Sequence, residues 1–185
     1  MRKMGLVAAI VASIVVVPGG PAFAEERTCR GTIGARTVDN LRVPQGATCR
    51  LNGTFVKGTV KVQRAATLVA TNVRVIGNVQ GENARNVVVR GGSRIGGSVQ
   101  VVQGARARVA NSRVNGDILF DENDRRLSVV SSRIGEDVQA FQNTGGVTIR
   151  DNRIDGNLQC KANRPRPTGG GNIVHGNKED QCRRL

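Results

Sequence analysis

A seven-residue pattern recurs along this chain and limits what it can fold into. Arg74-Val-Ile-Gly-Asn-Val-Gln80 returns as Arg94-Ile-Gly-Gly-Ser-Val-Gln100, Arg113-Val-Asn-Gly-Asp-Ile-Leu119, Arg133-Ile-Gly-Glu-Asp-Val-Gln139 and Arg153-Ile-Asp-Gly-Asn-Leu-Gln159. Weaker copies run over Phe55–Lys61 and Ile173–Glu179. The central position is Gly58, Gly77, Gly97, Gly116, Glu136, Gly156 and Gly176, with steps of 19, 20, 19, 20, 20 and 20 residues. So regular a period means one structural unit, stacked.

The apolar residues inside each unit alternate. Val56, Val75, Ile95, Val114, Ile134, Ile154 and Val174 stand two before the centre; Val60, Val79, Val99, Ile118, Val138 and Leu158 stand two after it. Period-two alternation is the mark of a strand with one buried face, and it is read here as one strand through the glycine. A second strand lies earlier in each unit, its inward pairs being Cys49/Leu51, Leu68/Ala70, Val87/Val89, Ala107/Val109, Leu127/Val129 and Val147/Ile149. Turn formers separate the strands at Gly81–Asn83, Gly104, Asp121–Asp124 and Asn143–Gly146. No helical periodicity follows the N-terminal segment.

The expected fold is therefore all-β: a single-stranded parallel β-helix, or β-solenoid, of 6–7 coils of about 20 residues. Coils stacked at about 4.8 Å make a rod about 30 Å long. A period of 20 exceeds the 18-residue coil of hexapeptide left-handed helices, which favours the right hand. A β-sandwich of short strands is the alternative, but it requires no fixed period.

Residues 1–24 read as a signal peptide. Arg2 and Lys3 precede an apolar run, Gly5–Val17, and Ala22-Phe23-Ala24 supplies a small-x-small cleavage site. The run is too short for a spanning helix, and no cysteine stands at the cleavage site for a lipid, so no membrane anchor is expected. The domain is then 25–185, secreted or cell-wall associated, with a net charge of +12 against +14 for the whole chain. The charge is uneven. Arg27–Gly116 carries fifteen Lys/Arg against Asp39 and Glu82, whereas Asp117–Leu158 carries five Arg against eight acids. The basic half attracts polyanions; the simpler account is solubility. With no Trp, no Tyr and three Phe after residue 24, aromatic stacking platforms for neutral sugars or single-stranded nucleic acids are disfavoured.

Four cysteines allow three pairings. Cys29 and Cys49 are 20 residues apart, one coil, which would stack them at one lateral position; Cys160 and Cys182 are 22 apart, one coil and a two-residue slip. Disulfides Cys29–Cys49 and Cys160–Cys182 would then staple the two terminal coils, where a solenoid frays, and export permits them. A cysteine metal site is disfavoured because no Cys-x-x-Cys pair occurs. Lys161–Gly171 holds two prolines and three glycines and is read as a loop, 161–171, before the last coil.

The stretches Gly156–Lys161, Pro167–Asn172 and Gly176–Cys182, together with Phe141–Gly146 and Asn40–Gly46, resemble a family of small secreted bacterial proteins common in actinomycete-type bacteria. The resemblance spans nearly all of 25–185. It implies secretion but no known activity, so no functional residue is carried over. The repeat is also similar, in pattern only, to the bactofilins, β-solenoids that polymerise end to end.

The candidate binding residues are Arg74, Arg94, Arg113, Arg133 and Arg153. Each precedes an inward aliphatic residue and so points outward, forming a column that could grip a regularly spaced polyanion such as a cell-wall or extracellular polymer. Asn78, Ser98, Asp117, Asp137 and Asn157 form a parallel outward row, and Gln80, Gln100, Gln139 and Gln159 another. Such columns also serve as ladders that merely support a sheet. Glu136 in the glycine column argues for a bend or solvent there, since a buried carboxylate is costly; the Arg and Gln rows would then lie on adjacent faces. Asp117 and Asp137 are the weak candidates for Ca²⁺ or for an acid/base pair. The only histidine, His175, has no nucleophile motif beside it, and no cofactor is implied. Two alternatives accompany a non-enzymatic binder. A carbohydrate-active enzyme would need a cleft of converging carboxylates near Asp117 and Asp137. A self-assembling scaffold would need an open terminal coil.

Overall fold

The computed structural model describes residues 25–185; the expected signal segment lies outside the described residues. It is all-β, with three parallel sheets of nine, eight and eight strands. We call them sheets A, B and C in the order the chain visits them. The chain adds one strand to each in turn, as in Val79–Glu82 (A), Asn86–Arg90 (B) and Arg94–Ile95 (C). Every strand pairs in parallel with its equivalents one coil away.

Register gives the coil length directly. Along sheet A, Leu41 pairs with Val60, Val60 with Val79, Val79 with Val99, Val99 with Ile118, Ile118 with Val138, Val138 with Leu158 and Leu158 with Lys178. These are seven turns of 19 or 20 residues. An abbreviated first turn precedes them, in which Glu26 pairs with Asn40.

The inward columns are as the alternation predicts, and burying them drives folding. Val60, Val79, Val99, Ile118 and Leu158 in sheet A, Leu68, Val89, Leu127 and Ile149 in sheet B, and Val56, Val114, Ile134 and Ile154 in sheet C are all fully buried. Each fully buried aliphatic contributes about 1.5–3 kcal/mol.

One expectation is corrected: the strand read through the glycine column is two strands. Arg74–Val75 belongs to sheet C and Val79–Glu82 to sheet A, with Ile76-Gly77-Asn78 forming the corner between them. Alternation survives because the corner preserves parity, so the sequence alone cannot tell a bend from a straight strand. Glu136 is exposed at this corner, as its charge requires.

The three corners are built differently. The A–B corner places Ala65, Asn83, Gln103, Glu122, Gln142 and Ala162 at φ near +50° to +58°; the B–C corner does the same with Asn72, Asn111, Ser131 and Asp151. At least one left-handed residue in each of these coils makes the turn, two at Gly91-Gly92. The C–A corner instead makes room with glycine. A Cβ on Gly97 would lie 2.0 Å from Asn78 Oδ1, and one on Gly156 would lie 2.3 Å from Asp137 Oδ1. The space belongs to the polar side chain of the coil below.

Polar ladders run up all three corners. At the A–B corner Asn123, Asn143 and Asn163 are buried. The Asn143 and Asn163 oxygens each accept from the amide and side-chain nitrogen of the asparagine one coil earlier, the Asn123 oxygen accepts from Gly104 N–H, and each Nδ2 also reaches a backbone carbonyl. At the B–C corner Ser132 Oγ accepts from Ser112 N–H, Asn152 Oδ1 from Ser132 N–H, and Asn172 Oδ1 from both Asn152 N–H and Asn152 Nδ2, while the Asn152 and Asn172 Nδ2 groups donate to backbone carbonyls. These ladders satisfy backbone groups that a corner removes from the sheets.

The ends differ from expectation in detail. Both disulfides form as paired, Cys29–Cys49 and Cys160–Cys182, with Cα separations of 5.5 and 5.2 Å. The Cys29–Cys49 geometry, however, is not simple stacking. Thr32 pairs with Arg50, so Gly31 is the register partner of Cys49, and Cys29 continues sheet A opposite Val43. The bond crosses the A–B corner because the first turn is short. Nor is 161–171 simply a loop. Thr168–Gly170 joins sheet B, with Thr148 pairing to Thr168, and Asn163 extends the buried ladder. The prolines are confined to 165 and 167, so the 20-residue register survives. At the C-terminal end Cys182 and Leu185 turn in over the core. At the other end Ile33 and Val38 remain 6 % exposed in the tapered first turn.

Candidate polyanion-binding face

Sheet C is made of two-residue strands, and this places its arginines. In every strand up to Arg153–Ile154 the second residue is the buried Val or Ile, so the first must face outward. Register then aligns them: Arg74 pairs with Arg94, Arg94 with Arg113, Arg113 with Arg133 and Arg133 with Arg153. All five are exposed. They form a single file with about 4.8 Å between coils. Phe55 lies below Arg74, whose guanidinium stands 5.1 Å from the ring centroid. Ile173, 58 % exposed, lies above Arg153.

The repulsion along the file is relieved unevenly. Asp155 lies 3.4 Å from Arg133 and 3.6 Å from Arg153, and His175 Nδ1 is 3.4 Å from the same carboxylate. Arg113 donates to Asn115 Oδ1 at 3.0 Å. Arg94 has no side-chain partner among the described residues. Exposed ion pairs of this kind contribute about 1 kcal/mol at most. The positive potential is thus strongest over Arg74, Arg94 and Arg113.

The row of Asn78, Ser98, Asp117, Asp137 and Asn157 does not share this face. It is the C–A corner ladder. Ser98 N–H donates to Asn78 Oδ1 at 2.8 Å, Asp117 N–H to Ser98 Oγ at 3.0 Å, Asp137 N–H to Asp117 Oδ1 at 3.0 Å, and Asn157 N–H to Asp137 Oδ1 at 2.6 Å. Asp117 and Asp137 stack as expected, but each commits an oxygen to the amide above. They line up along the rod instead of converging on a common point, as a Ca²⁺ ion or a glycosidic bond would need. No group of three or more His, Cys, Asp or Glu side chains placed to hold a metal occurs among the described residues.

The glutamines occupy sheet A, around the corner from the arginines. Gln80 donates to Gln100 at 3.3 Å, Gln139 to Gln159 at 3.0 Å and Gln159 to Glu179 at 3.1 Å. Leu119 interrupts this amide ladder between Gln100 and Gln139. The single face of Arg, small polar and Gln rows is therefore resolved into two faces and a corner. On the same sheet Asp121 lies in register between Val102 and Phe141. Its carboxyl is pushed above the usual range, first by desolvation and then by the neighbouring Glu122 charge. Its Oδ1 is buried without a hydrogen-bond partner. A shallow groove of about 800 Å³ elsewhere on sheet A is lined by Lys61, Arg64, Gln80, Glu82 and Gln100 among others, so it mixes both charge signs.

The buried asparagine ladders are the feature that reading the sequence missed. Asn123, Asn143 and Asn163 are spaced 20 apart, as are Asn152 and Asn172. Within turns they look like ordinary turn formers; only their coincidence with the coil period distinguishes them. No helix among the described residues is long and apolar enough to cross a membrane. Compared with protein families, with curated proteins and with solved structures, the chain finds no match.

Proposed function

We propose that this is an exported, non-enzymatic binding protein that holds an extended polyanion of the cell wall or extracellular space along the arginine file of sheet C. The observation that carries the reading is the register of Arg74, Arg94, Arg113, Arg133 and Arg153 on one exposed strand face. A rigid file of guanidiniums loses little conformational freedom on meeting a regularly charged chain, and each planar fork suits a carboxylate or phosphate. Export is supported by the signal-peptide pattern of residues 1–24, and the two disulfides are compatible with an extracellular protein. The resemblance to small secreted bacterial proteins agrees with it. Asp117 and Asp137 weigh against the enzyme alternative because both are tied into a corner ladder. Tapering at one end and inward-turned Leu185 at the other weigh against end-to-end assembly.

The test replaces Arg94, Arg113 and Arg133 together by Gln and compares salt elution from immobilised heparin and from immobilised polygalacturonate. Each lost contact lowers the slope of log K against log salt by about 0.7–0.9, so the triple variant should lose about 2 in slope on both supports. Elution at the parent's salt concentration on both would refute the proposal.

A further inference from the structure

Sheet B carries a second group of arginines, differently arranged. Arg106 and Arg108 lie two apart in Arg106–Ala110 and both face outward, because Ala107 and Val109 between and beyond them are buried. Ala107 pairs with Leu127, which sets Arg126 beside Arg106 one coil further on. The Cα positions form a triangle with sides of about 4.8 Å across coils and about 6.6 Å along the strand. Arg125 stands at the adjoining corner. Gly145 lies so close over it that an added Cβ would meet Arg125 backbone at 2.2 Å. This turn therefore walls one side of a shallow groove of about 620 Å³, whose floor includes Asn86, Val88 and the outward hydroxyl position Ser128.

The charge of the groove is one-sided. Asp124 is its one acidic lining residue, 3.9 Å from Arg125. Arg106, Arg108 and Arg126 have no acidic partner among the described residues, and all three are exposed.

Geometry separates this site from the file on sheet C. A single file meets a ligand with one guanidinium per coil. A triangle can approach one group from three directions. A tetrahedral sulfate or phosphate monoester presents three oxygens to such an arrangement, while a planar carboxylate presents two. We propose that the sheet B groove binds a phosphate or sulfate ester group and discriminates against carboxylate. The inference is independent of the sheet C reading, since it uses other residues on another face.

The test titrates the protein with three probes: a heparin hexasaccharide, the phosphate monoester inositol hexakisphosphate, and an oligogalacturonate matched to the heparin in charge number. The variants are R106Q/R126Q and R94Q/R113Q, each checked for an unchanged far-UV spectrum. R106Q/R126Q should weaken heparin or inositol hexakisphosphate binding about tenfold, the size of a lost pair of charge-assisted contacts at a solvated site. Oligogalacturonate binding should stay within about twofold for this variant. A loss confined to heparin identifies sulfate as the source, and one confined to inositol hexakisphosphate identifies phosphate. Equal losses on all three probes, or no loss on either ester, would overturn the proposal. R94Q/R113Q reports separately on sheet C, so either site can fail alone.

Discussion

Replacing Asn143 by Ala should cost this fold far more than a surface change, and the structure sets the scale. The side chain is fully buried. Its Oδ1 accepts from Asn123 N–H and from Asn123 Nδ2, both at 3.0 Å. Its Nδ2 donates to Phe120 C=O at 3.0 Å and to Asn163 Oδ1 at 2.9 Å. Truncation leaves the Asn123 N–H and the Phe120 carbonyl without these partners, whereas Asn123 Nδ2 keeps Val101 and Asp121 carbonyls and Asn163 Oδ1 keeps the Asn143 amide. Two orphaned buried groups at about 1–3 kcal/mol each give about 4 kcal/mol. For a domain of this size that lowers Tm by about 10 °C. The comparator is Asn157→Ala in the C–A corner. It removes the acceptor for a single exposed bond, that from Asn177 N–H at 2.9 Å, and should cost about 1 kcal/mol. Thermal melts followed by far-UV circular dichroism, with a parallel urea series, measure both. Indistinguishable melts for the two variants would refute the claim that the buried ladder, and not the corner hydrogen bond as such, stabilises the stack. Because coils contact only their neighbours, the Asn143 variant should also lose hydrogen-exchange protection first in coils adjoining residues 120–143.

Two further outcomes follow from the corners and from sheet A. Gly97→Ala forces its Cβ onto Asn78 Oδ1 and displaces the acceptor of Ser98 N–H, so it should cost about 1–2 kcal/mol in a urea titration, whereas Glu136→Gly, at the same corner position two coils later, should change stability by no more than about 1 kcal/mol, the glycine's backbone-entropy cost. Asp121 has its folded pKa raised, so the folded state holds the proton more tightly than the unfolded chain. Its contribution is most favourable below the unfolded pKa and is lost as pH rises through the folded value. Asp121→Asn should therefore raise Tm at neutral pH, with the gain shrinking as pH falls through the raised folded value and gone below the ordinary aspartate range; a gain that grows on acidification contradicts the assignment.

Much of this architecture was legible in the residues. The positions of Val75, Val79, Leu68 and Val89 relative to the repeat located four of the inward columns, and parity fixed which neighbours face solvent. Glu136 in the glycine column was enough to reveal that the column meets water. The third sheet was not legible, because Val75 and Val79 keep the same parity whether Ile76-Gly77-Asn78 runs straight or turns. The same ambiguity placed Asn78, Asp117 and Asp137 on an open face, when they are the acceptors that hold the corner together. The sheet B groove was hidden for another reason: Arg106 and Arg126 share the 20-residue spacing only once, with Asn86 and Gly146 on either side, and Arg108 stands between Val88 and Ser128, so no repeated column marks them.

Sequence alone determined that the chain must stack, what it buries, and which cysteines meet, since a period of 19–20 residues with alternating aliphatics allows few other ways to remove them from water. Only the tertiary structure decided where each coil bends, and with that, which charged rows share a face. The bends are set by local space and by hydrogen-bond satisfaction between coils: left-handed residues at two corners, glycine cleared for a neighbour's side chain at the third. Those are relations between residues about 20 apart in the chain and one strand apart in space, which periodicity can announce but cannot orient.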